Sequence, residues 1–136
     1  MLSILATMSR VHSVMSLHLR YRLCIAEMNL DINVLRIFND YVQELESKES
    51  EQELKNKIDY FKKRFVDLRT EIDELRHEMH IIKMKLAAYS REGKQVDYKL
   101  YQADNHAELR KHYLAFRKLF AQVRIEFTRF EGQWLH

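Results

Sequence analysis

The sequence predicts an all-α fold: an elongated antiparallel three-helix bundle, up-down-up, with heptad-type packing. Three observations carry that expectation. The 136 residues include no proline and only two glycines, Gly93 and Gly132, so few positions favour a break in a helix. Apolar residues recur in alternating steps of four and three along most of the chain, a spacing that draws one stripe down a helix and requires a partner for it. Short polar stretches near 46–53 and 90–95 separate three such runs and read as turns.

The second run is the clearest. Leu54, Ile58, Phe61, Phe65, Leu68, Ile72, Leu75, Met79, Ile82, Leu86 and Tyr89 keep the frame without interruption. Ser50 followed by Glu53 reads as a capping box at its start, and Gly93 supplies a left-handed stop. The third run repeats the pattern through Leu109, Tyr113, Phe116, Phe120, Val123, Phe127, Phe130 and Trp134, six of the eight being aromatic. Smaller residues opposite so bulky a stripe would fill the layers without overpacking. Asn105 with Glu108 is a second capping-box candidate. The first run is wider. Val14, Leu17, Tyr21, Cys24, Met28, Leu35, Phe38, Val42 and Leu45 share one frame that Asp31 interrupts, and Ile25, Ile32, Val34 and Tyr41 flank it. So broad a face suits a helix with two neighbours, or one that also meets a second chain.

The expected organisation is a single domain, 1–136. Helix 1 covers about 2–46, with a kink expected near 29–33 at Asn29, Asp31 and Asn33; helix 2 about 51–90; helix 3 about 96–131, kinked near 104. Helices of that length span roughly 45–65 Å and make a rod. The competing arrangement leaves a helix open for a multi-chain coiled coil. Charges beside the seams test the antiparallel turn at Gly93. Folding helix 3 back on helix 2 brings Glu71 and Glu78 near His112, and Lys57 and Arg64 near Glu126. The other flanks carry Lys62, Arg69, Arg76 and Lys83 against Arg110, Arg117 and Arg124, which repel and should splay outward or sit beside helix 1.

Composition narrows the function classes. With 46% apolar residues the chain can bury a core, which argues against disorder. One cysteine, Cys24, cannot form an intrachain disulfide, and two glycines cannot build a phosphate-binding loop. The net charge of +3 is too balanced to imply nucleic acid by itself. No apolar run approaches the roughly 20 residues that cross a bilayer. Residues 1–26 contain Arg10, Arg20 and Arg22 and no acid, a composition shared by organellar transit segments and interfacial helices. The apolar spacing runs on without a break, so a structural first helix is the expectation, with Met28 as an alternative start. A lone thiol on the seam suits a reducing compartment, and the cytoplasm is the expected location.

Few constellations point to chemistry. Glu74 with His77 has the Glu-x-x-His spacing of di-iron bundles, and His80 is one turn on, but such sites need the motif on two helices. The frame places all three side chains off the seam, toward solvent. Cys24 on a seam acts as a small apolar filler. The sequence therefore predicts no catalytic residues, no cofactor and no metal site. The candidate binding face is basic: Lys62, Lys63, Arg110, Lys111, Arg117, Lys118 and Arg124, spaced to track phosphates or an acidic surface.

Ile72-Asp-Glu-Leu-Arg-His-Glu, Asn105-His-Ala-Glu-Leu-Arg and Arg124-Ile-Glu-Phe-Thr-Arg-Phe resemble stretches of small, uncharacterised, coiled-coil-like helical proteins of bacteria. The resemblance covers roughly residues 54–131 and departs at the first helix. It implies a helical fold and brings no activity, partner or residue roles. The expected function is a non-enzymatic helical module for structure or protein–protein interaction, with a protein partner or self-association, a homodimer favoured. The alternative is a basic adaptor for nucleic acid or an acidic or membrane surface. Because a metal site needs three or four converging ligands, the melting temperature should be the same in EDTA, in buffer and with added zinc. A loss of several degrees on chelation would overturn the frame assigned to helix 2.

Overall fold

The computed structural model describes residues 11–48 and 51–134, with Val11, His12 and Tyr98 described by their backbone alone. The fold is all-α. Among the described residues there are four helices, α1 Val14–Lys48, α2 Gln52–Arg91, α3 Tyr98–Ala103 and α4 His106–Trp134, with two-residue strands β1 Val11–His12 before α1 and β2 Val96–Asp97 between α2 and α3. The strands pair antiparallel, Val11 with Asp97 and His12 with Val96.

Helix boundaries follow local chemistry. Ser13 caps α1: its Oγ accepts from Ser16 N at 3.2 Å, and its carbonyl accepts from Leu17 N. α1 therefore starts at Val14, not near residue 2, because the two residues before Ser13 are extended and paired with β2. Residues 1–10 and Ser50, where the rest of that expected helix and one capping box fall, lie outside the described residues. α1 runs unbroken through Asn29, Asp31 and Asn33. α2 stops as expected. Gly93 takes a φ of +68°, Gly93 N donates to Ser90 O at 3.2 Å, and Lys94 N donates to Tyr89 O at 2.8 Å, the paired bonds of a left-handed helix cap.

The expected third helix is two. Asp97 caps α3 by accepting from Leu100 N at 2.8 Å, and α3 ends where Asp104 N donates to Leu100 O at 3.0 Å. Asn105, at φ +56°, turns the chain, and its carbonyl accepts the first bond of α4 from Leu109 N. Asparagine tolerates the left-handed region better than most residues. So the kink expected near 104 is a full break, made by one left-handed residue.

The chain divides into two compact units, Met1–Met28 with Glu74–Tyr113, and Asn29–Asp73 with Leu114–His136. In the first, Leu17, Tyr21, Ile25 and Met28 of α1 are buried, as are Leu75, Met79 and Leu86 of α2, Val96, Tyr101 of α3, and Leu109 of α4. In the second, the seams meet in an aromatic cluster. Phe127 of α4 lies 4.7 Å from Phe38 of α1 and 5.2 Å from both Phe61 and Phe65 of α2, centroid to centroid, edge-on to the last two. The expected small residues opposite the α4 stripe are thus absent here: rings interlock edge to face, which fills the layer with favourable quadrupole geometry.

Nearly the whole seam is buried. From Leu54 to Leu86 each frame residue of α2 is buried, and Leu109 to Phe130 of α4 likewise; Tyr89, Trp134, Cys24 and Phe38 are half-buried. Ile25 is buried and Ile32 and Val34 half-buried, so intramolecular neighbours cover part of the wide α1 face. Phe120 is 3% exposed. Its replacement by alanine should cost about 3–5 kcal/mol in urea unfolding; a loss below about 1 kcal/mol would place this stripe in solvent.

Candidate functional site

The basic residues singled out in the sequence do not form one free face. Lys63, Arg110, Lys111, Lys118 and Arg124 are exposed. Lys62 is exposed but its Nζ pairs with Glu46 Oε1 at 3.2 Å. Arg117 turns toward α1. Its side chain is only 26% exposed, and both terminal nitrogens engage Asp31, with Nη2 donating to Oδ1 at 3.2 Å. Asp31 is 3% exposed, on the very seam it interrupts. The Arg117 guanidinium also lies over the Phe116 and Phe120 rings, 5.7 and 5.5 Å from their centroids. A buried carboxylate needs a paired charge, and Arg117 supplies it. Arg110 and Lys111 belong to the first unit and the other five residues to the second.

Two of the expected pairs of flank neighbours share a groove, one pair in each unit. Glu78 and His112 line one groove of the first unit, with Glu108 and Asp104. Lys57 and Glu126 line a groove of the second, where Tyr60 donates to Glu126 Oε2 at 3.1 Å. Partial burial, then the bond to Glu126, raises the Tyr60 hydroxyl above its ordinary range. Of the like-charged flanks, Lys62 and Arg117 turn to α1, pairing with Glu46 and Asp31, while Arg69 pairs with Asp73 on its own helix.

One cluster escaped the sequence reading. In the first unit His106 is 1% exposed at the start of α4. Its Nδ1 and the Tyr21 hydroxyl of α1 hydrogen-bond at 2.5 Å, and the Tyr101 ring of α3 stacks on it at 4.9 Å. Asp104 Oδ2 lies 3.8 Å from Nε2 and accepts from the Tyr89 hydroxyl at 3.2 Å, while Lys85 Nζ stands 3.6 Å from Oδ1. Burial pushes the Tyr21 hydroxyl well above its usual range, so it stays protonated and neutral. Burial and then Asp104 raise Tyr89 in the same direction.

An imidazole between a tyrosine and a carboxylate has the parts of a proton relay. Here the ring is enclosed, at 1% exposure. The arrangement is a polar tie between α1, α3 and α4. Tyr113 of α4 makes a comparable tie by donating to Glu27 of α1.

Glu74, His77 and His80 are exposed. Partial burial, then the charges of Lys83 and Arg76, lowers His80 below the ordinary histidine range. Among the described residues no group of three or more His, Cys, Asp or Glu side chains could hold a metal ion. Cys24 is half-buried and takes part in no disulfide.

The Asp31–Arg117 pair has a measurable signature. Arg117→Ala leaves a buried carboxylate without its cation and should destabilise the fold by about 3 kcal/mol in chemical denaturation. Replacing both partners by leucine should recover most of that loss; a single variant as stable as the parent would show the pair to be a surface bridge. No family model matches the chain, and neither a curated protein nor a solved structure matches it.

Proposed function

We propose that this protein is a non-enzymatic structural or protein–protein interaction module, acting through the outer faces of long helices packed up-down-up, with a second copy as the favoured partner. Pairings inside the second unit support the helix directions. As α1 advances from Phe38 to Glu46, its α2 partner retreats from Phe65 to Lys62; as α1 advances from Asp31 to Phe38, its α4 partner advances from Arg117 to Phe127.

One observation carries the functional reading. Twelve large apolar side chains among the described residues are 45–70% exposed, and six of them, Met15, Leu19, Leu23, Leu30, Ile37 and Tyr41, are on α1. Scattered apolar residues are ordinary on a surface, whereas concentration on one element marks a contact region. No helix among the described residues is long and apolar enough to cross a membrane. A single cysteine, Cys24, with no disulfide supports a reducing compartment such as the cytoplasm. A nucleic-acid reading is weakened by the Lys62 and Arg117 ion pairs with helix 1.

Sedimentation equilibrium should give a mass above 16.6 kDa that falls toward it on dilution. A monomer across a wide concentration range would defeat self-association. Titration of labelled DNA and RNA at two salt concentrations should show only weak binding; tight, steeply salt-dependent binding would favour the basic adaptor instead.

A further inference from the structure

We infer that the outer face of α1 docks a second copy of this chain, α1 against α1 in antiparallel orientation. The inference rests on the self-association reading and names its surface. α1 is one unbroken helix, and the stripe in question belongs to it alone. Opposite the buried seam runs a second series in steps of four and three: Leu19, Leu23, Ala26, Leu30, Asn33 and Ile37, all exposed. Leu19, Leu23 and Leu30 are 55–60% exposed. A helix serving only its own core carries polar residues on that side. A second heptad seam is the pattern of a helix with a partner on each face.

The charges identify the occupant. At the N-terminal end the stripe is flanked by exposed Arg20 and Arg22, with no acid before Glu27. At the other end its frame continues into two exposed acids, Asp40 and Glu44, the latter 2.9 Å from Lys48 on its own helix. From Leu19 to Glu44 the stripe extends roughly 38 Å. A two-fold interface brings residue i to j and j to i. Antiparallel pairing centred between Leu30 and Asn33 therefore sets Arg20 and Arg22 of each copy beside Asp40 and Glu44 of the other. Parallel pairing sets arginine on arginine and acid on acid. Asn33, polar and central, fixes register at some cost in affinity. An anionic lipid surface fits less well, since it would repel the acids that continue the stripe.

The test is sedimentation equilibrium of the full chain in low salt, with far-UV circular dichroism as the control for folding. The wild type should dimerise. Leu23→Glu with Leu30→Glu, both at exposed positions, should keep its helicity and become monomeric. Arg20→Glu with Arg22→Glu should raise the dissociation constant about tenfold or more, and adding Asp40→Lys and Glu44→Lys to that variant should restore dimerisation. A Leu23/Leu30 variant that stays dimeric overturns this surface and leaves self-association standing. A dimer indifferent to the arginine reversal overturns the antiparallel arrangement. A wild type monomeric at every concentration overturns both readings. A monomer whose binding to phosphatidylserine vesicles is lost in the Leu23/Leu30 variant assigns the stripe to a lipid surface instead.

Discussion

The Asp31–Arg117 pair constrains the second unit more than any apolar contact. Hydrophobic seams are forgiving: phenylalanines on α4 offer α1 nearly the same surface when one helix slides by a turn. A carboxylate at 3% exposure is not. Slippage by one turn would carry Asp31 away from Arg117 and press it against rings, at the cost of an unpaired buried charge. The guanidinium is held in turn by the Phe116 and Phe120 rings beneath it. One polar interaction thus selects which layers of the aromatic cluster meet, Phe38 with Phe127 among them. The first unit uses the same device with different groups. Tyr21 on His106 and Tyr113 on Glu27 tie α1 to α4 across 85 and 86 residues.

Much of this was legible in the sequence because it is periodic. The burial of Leu54 through Leu86, the aromatic stripe from Tyr113 to Phe130 and the stop at Gly93 all follow from spacing and from one residue without a Cβ. Placing Glu74, His77 and His80 toward solvent needed only the frame. What periodicity could not reveal is pairing across distance. Asp31 reads as a defect in a seam, and Arg117 as one of several regularly spaced cations, until both are seen together. His106 sits on the α4 frame like any seam residue, and nothing local names Tyr21 as its partner. The break at Asn105 was visible only as a kink, since asparagine signals a cap and a left-handed turn equally well.

Where each charged group sits shapes what the molecule can do. The net charge is only +3, and two of the flank cations, Lys62 and Arg117, are engaged with acids of α1. Tyr21 and His106 are buried and hydrogen-bonded to each other, and they act on structure. What α1 offers outward is apolar: Leu19, Leu23 and Leu30 are each more than half exposed.

The sequence separation of the α1–α4 ties also bears on the order of folding. During synthesis α2 follows α1 after only three residues, yet Asp31, Glu27 and Tyr21 wait for partners roughly eighty-five residues downstream. Until α4 emerges, a buried-to-be carboxylate and the phenylalanines of α1 and α2 remain open to water and to neighbouring nascent chains. Such an incomplete hairpin exposes sticky surface at the stage when aggregation competes with folding. A charge within the seam serves the nascent chain as well as the finished one, since it keeps that surface soluble until Arg117 arrives.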